Sequence, residues 1–87
     1  VTPSVPTHTF SFNGVTTTVY HAQVGEGLSK HSHKIPHITF VARGSTIVRK
    51  EGKELVMTPE TQPVLLPATE WHEIEALEDN TVFINII

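Results

Sequence analysis

The chain has 87 residues, enough for one small domain whose core is marginal without a metal or a partner subunit. Six Lys+Arg against nine Asp+Glu give a net charge of −3, which leaves no basic footprint for nucleic acid and no positive block for an anionic membrane. Cysteine is absent, so disulfides, Fe–S clusters and thiolate zinc sites are excluded.

Residues 1–7, with Pro3 and Pro6, read as an irregular arm. The start VTPSVPTHTF has no basic n-region and no apolar h-region, and no apolar run reaches transmembrane length. The expectation is a cytoplasmic protein that makes no membrane contact. Thr9–Asn13 is a short strand running into Asn13-Gly14, a strong hairpin signal. Val15–Ala22 is rich in β-branched and aromatic residues and reads as the next strand, with Gly25–Gly27 as punctuation. Ile35–Ala42 is a strand closed by Arg43-Gly44, and Ser45–Lys50 and Lys53–Met57 form a hairpin about Glu51-Gly52. After the Thr58–Thr61 turn come Pro63–Leu66, His72–Ala76 and Thr81–Ile87. No segment carries a sustained helical apolar period. Seven or eight short strands at close spacing predict an all-β sandwich or barrel in one domain spanning 1–87.

Three histidines fall within seven residues, His31, His33 and His37, and a fourth, His72, follows Pro67. Neutral imidazole is the commonest metal ligand in proteins, so this cluster points to a transition metal. On a strand, His31 and His33 project from one face. A straight strand would carry His37 roughly 13 Å past His33, at ~3.3 Å per residue. Metal–nitrogen bonds are only about 2 Å, so the chain must bend, and Lys34-Ile35-Pro36 is where it can. His8 and His21 lie outside the cluster and read as surface or packing residues.

The run Gly25-x5-His31-x-His33-x3-His37-x6-Gly44 resembles the first motif of the cupin superfamily, and Pro67-x4-His72 is similar to its second. The chain resembles a small monodomain cupin. His37 stands where relatives usually carry Glu. In the second motif Thr61 and Thr69 stand where relatives carry glycine, and Ala76 stands at the closing asparagine. The resemblance implies an antiparallel jelly-roll β-barrel, with His31, His33, His37 and His72 holding one divalent ion: Fe, Mn, Ni, Cu or Zn. Four neutral ligands would leave the ion its full charge, suited to anions and bidentate oxygen donors, and would include no carboxylate base.

Around the site, Thr39, Val41 and Ile74 share the parity of His37 or His72 and are candidate walls. Arg43 is a candidate rim cation, balanced against a solvated turn. One of Glu70, Glu73 and Glu75 is a candidate partner for an imidazole N–H. Trp71, Tyr20 and Phe40 read as packing residues. The run Val82–Ile87 is apolar on both faces, and a second subunit is the expected cover, giving a homodimer. Two functions fit. One is a metal-dependent oxygenase or related enzyme, lyases and isomerases included, acting on a small organic substrate. The other is a non-catalytic module that captures a sugar or carboxylate through its metal. Family analogy carries the first, since a fold does not fix a function.

Overall fold

A computed structural model describes residues 1–87. It contains ten strands and no helix: β1 (Thr2–Pro3), β2 (Pro6–Phe12), β3 (Val15–Ala22), β4 (Glu26–His31), β5 (His37–Arg43), β6 (Thr46–Lys50), β7 (Lys53–Met57), β8 (Val64–Leu66), β9 (His72–Ala76) and β10 (Thr81–Ile86). They form two five-stranded sheets, ordered β1-β4-β9-β6-β7 and β2-β3-β10-β5-β8. All pairings are antiparallel except the short parallel contact of β1 with β4. The expected jelly-roll architecture is what the chain adopts.

Local chemistry sets the hairpins. Asn13 and Gly14 both take positive φ, 51° and 78°, the paired left-handed geometry that a two-residue turn between β2 and β3 requires. The sheets bury Phe83, Met57, Leu66, Ile74, Val48, Val41, Ala22 and Ala76 between them. Strict alternation selects these positions: in β10 Phe83 and Asn85 are buried while Ile84 and Ile86 face outward. Tyr20 stacks on Phe83 at 4.8 Å, so it packs as expected, and burial raises its phenol.

Two strands were not expected. The N-terminal arm is not irregular: Thr2 and Pro3 pair with Glu26 and Gly27, and β2 begins at Pro6. β4 lies across Gly25–Gly27, read from sequence as punctuation, and shows no apolar alternation. It is a strand because it pairs with β9, which can approach so closely because position 27 has no side chain. A Cβ on Gly27 would lie 2.0 Å from the Ile74 carbonyl oxygen.

Candidate metal centre

The four motif histidines meet at one end of the two sheets. His31 is the last residue of β4, His72 the first of β9 and His37 the first of β5. His33 lies between β4 and β5 in non-strand backbone, with the chain bending at Lys34 and Ile35. The expected bend is therefore present. His31 and His33 do not share a strand face, because β4 has already ended.

A register shift directs His31 inward. Leu28 pairs with Ile74, and the next matched pair is His31 with His72. Three residues of β4 thus oppose two steps of β9, and the extra residue reverses the side-chain alternation. The His31 Nδ1 donates to the Ser29 carbonyl within this bulge, which leaves Nε2 as the lone-pair nitrogen. His33 is tied to the turn before β9: the Thr69 N–H donates to the His33 carbonyl at 2.6 Å. Thr69 takes φ 65°, a left-handed conformation that a glycine would supply without strain.

Ligand nitrogens of His31, His33 and His72 lie within 4.8 Å of one another. The ring centroids are separated by 4.5 Å (His31–His33), 4.5 Å (His31–His72) and 4.7 Å (His33–His72). His37 joins the group differently. Its ring stacks on His33, with centroids 3.7 Å apart and planes inclined by 13°. A ligating lone pair lies in the ring plane, so one ion cannot lie in both of two nearly parallel, separated planes. The structure thus brings three of the four expected ligands to a common point and lays the fourth against one of them.

The nitrogens fit a cation. His33 Nδ1, His37 Nδ1 and both ring nitrogens of His72 are buried without a hydrogen-bond partner. Such atoms are costly to bury unless something pairs with them. The rings are also held neutral. Burial, reinforced by neighbouring imidazoles, pushes His33 and His72 down to about 4 and lowers His37 as well. Neutral imidazole is the ligating form.

No protein-family model matches the chain, and neither does any curated protein. Solved structures do. A cupin 2 domain-containing protein from Halorhodospira halophila aligns with a TM-score of 0.82 at 20% identity, over 97% of this chain and 63% of that one. The chain has the cupin fold. KdgF from Halomonas sp. aligns with a TM-score of 0.75 at 22% identity, over 83% of this chain and 67% of that one. A structure from the DMSP lyases RdDddP and RnDddQII aligns at 0.74 and 20% identity, over 86% of this chain and 38% of that one.

Within the cupin fold the surroundings of the cluster sort clearly. Thr39 and Ile74 lie one inward step beyond His37 and His72 and are fully buried, so they floor the site, and Val41 lies deeper in the core. Arg43 is not a rim cation. It ends β5, six residues from His37 at the opposite end of the strand, and its Nε donates to the Asn80 carbonyl at 2.9 Å. Glu73 and Glu75 face away from the imidazoles, because Arg49 on the outer face binds both, at 2.9 and 2.8 Å. Trp71 lies off the cluster as expected: its indole N–H donates to Glu51 at 2.7 Å, and Lys30 sits 4.3 Å over its ring.

Sequence reasoning missed Lys50. It pairs in register with His72 across β6 and β9, and its ammonium lies 3.3 Å from Glu70. One signal was available: in Thr46-Ile47-Val48-Arg49-Lys50 the inward parity that carries Thr46 and Val48 also carries Lys50.

Proposed function

We propose that this chain is a metal-dependent cupin enzyme that takes a small organic, oxygen-donor substrate at a divalent ion held by His31, His33, His72 and His37. The observation that carries this reading is the set of buried, partnerless, neutral ring nitrogens at one junction of three strands. His31 is fixed in tautomer by Ser29, His33 is anchored through its backbone by Thr69, and His72 is locked between β4 and β6. His37 is the conditional member, whose ring leaves its stack on His33 to complete the set. A bound ion would supply Lewis acidity and, if it were Fe, Mn or Cu, redox chemistry for oxygenation. The ligands include no carboxylate, so substrate protons must go to water, to the substrate itself or to Glu70. The likeness to a DMSP lyase structure supports a related, non-redox lyase on the same scaffold.

The test is elemental analysis of protein purified without a histidine tag, followed by loading with each candidate ion. About one equivalent per chain is expected, lost in H72A and H33A. Refusal of every divalent ion overturns the reading. Oxygen uptake with catechol-like and enediol probes then separates oxygenase from lyase. Metal loading with no turnover in either assay identifies a binding module instead.

We also propose a homodimer through the outer face of the second sheet. One row, Phe10, Thr17, Ile86, Ile38 and Leu65, crosses all five strands in register. Phe10 and Phe12 are 57% and 75% exposed. Arg43 is the only charged residue in the five strands of this sheet. A large apolar face of this kind marks an interface. Because it is almost free of charge, it meets a copy of itself across a two-fold axis without like-charge repulsion.

A further inference from the structure

The inner face of the first sheet carries a row of three polar side chains at the histidine cluster. His72 lies opposite His31 on β4 and opposite Lys50 on β6. Directly opposed residues share a face, with Cβ atoms about 5 Å apart. The inward positions before Lys50 on β6, Val48 and Thr46, are buried core residues. Lys50 is therefore the next inward position on that face, in register with His72, and its side chain is only 13% exposed.

Its neighbour Arg49 points the other way and is already engaged with Glu54, Glu73 and Glu75. Lys50 has one charged partner, Glu70, whose side chain is 37% exposed on the turn before His72. A partly exposed single ion pair is weak and readily exchanged. Four neutral imidazoles leave a divalent ion with its whole charge. Lys50 adds a cation on the same sheet face, in register with His72 and offset only by Glu70.

We propose that Lys50 is the anion-recognition residue of this site. The substrate carries a carboxylate in addition to the oxygens that meet the metal, and that carboxylate replaces Glu70 as the partner of the Lys50 ammonium. The ligand class is a small hydroxy- or oxo-dicarboxylate. This inference rests on the metal-site reading, and it adds a residue that is not itself a ligand.

The experiment uses protein loaded with Co(II), whose visible spectrum reports ligand entry, and two probes. Malate offers an α-hydroxycarboxylate chelate and a second carboxylate; 2-hydroxybutyrate offers the chelate alone. Malate is expected to bind the wild type about tenfold or more tightly than 2-hydroxybutyrate, the effect of one charge-assisted contact. K50M should collapse that preference while leaving Co(II) stoichiometry and 2-hydroxybutyrate affinity unchanged, and K50R should retain most of it. E70Q, which removes the competing carboxylate, should tighten malate binding. Equal binding of the two probes by the wild type, a preference that survives K50M, or weakened malate binding in E70Q overturns the inference and leaves the metal site standing. Failure to load Co(II) overturns both.

Discussion

His31 faces His72 across the β4–β9 ladder because one extra residue lies between Leu28 and His31. In a regular strand Lys30 would share the inward face of Leu28 and His31 would point to solvent. The bulge at Ser29-Lys30 thus decides whether the site has its first ligand. Deleting Ser29 should remove the extra residue, so that two steps on β4 match two on β9 and His31 stays opposite His72, facing inward without a bulge. The expected outcome is a folded protein, with an unchanged β-sheet circular dichroism spectrum, that keeps its metal by elemental analysis. Inserting a second residue there instead, which the single bulge does not absorb, should turn His31 outward and lose most of the metal.

The metal-free protein should weaken in acid. His33 and His72 are held at about 4 by burial and by their imidazole neighbours, against an ordinary value near 6.5. Between those values the unfolded chain binds more protons than the folded one, so stability rises with pH. It is full above about pH 6.5 and is lost as pH falls towards 4. For His72 alone, which is fully buried, the loss is on the order of 3 kcal/mol. Urea unfolding of the metal-free protein at a series of pH values checks this. H72L, which cannot be charged, should flatten the dependence.

Gly27 should tolerate nothing larger. A Cβ there would lie 2.0 Å from the backbone oxygen of Ile74 and 2.8 Å from its carbonyl carbon, and backbone cannot rotate away as a side-chain end can. Moving β9 would also displace His72. Gly27→Ala is expected to cost about 3 kcal/mol or more. Denaturant titration measures the loss, and metal content should fall with it.

Thr69 should be improvable. A β-branched residue at φ 65° is strained, and glycine adopts the conformation freely. Thr69→Gly should raise stability by about 1 kcal/mol, strain relief exceeding the entropy lost on ordering glycine. A higher Tm with unchanged metal stoichiometry is the expected result, since the contact to the His33 carbonyl uses the backbone N–H.

Association should depend on the outer face of β2 and β10. Phe10 and Ile86 lie on one cross-strand row through Thr17, and both leave the inner core untouched. F10K with I86K places like charges on a face that would meet its own copy. Light scattering should show the wild type as a dimer and the double variant as a monomer at the same concentration, both retaining metal. A wild-type monomer at micromolar concentration would remove this surface as a self-interface.

Much of this protein was decided within short stretches of chain. Asn13-Gly14 determined a turn, alternation in His72–Ala76 and Thr81–Ile86 determined which side chains enter the core, and Pro36 determined a bend after His33. These are consequences of φ preference and a two-residue period, which need no distant partner. The resemblance to a cupin motif added the likeness of His72 to a ligand before any contact was visible. What only the tertiary structure decided are the relations between strands far apart in sequence. β1 and β4 exist because of their neighbours, the first too short and the second too polar to declare itself. The bulge that turns His31 inward is a mismatch between two ladders, invisible in either strand alone. Arg43 left the site, and Lys50 entered it, through register with Val82 and His72 respectively. The sequence carries four motif histidines among its six. Pairing across the sheets decides that three converge, that His37 stacks on the second of them, and that a lysine stands beside the last.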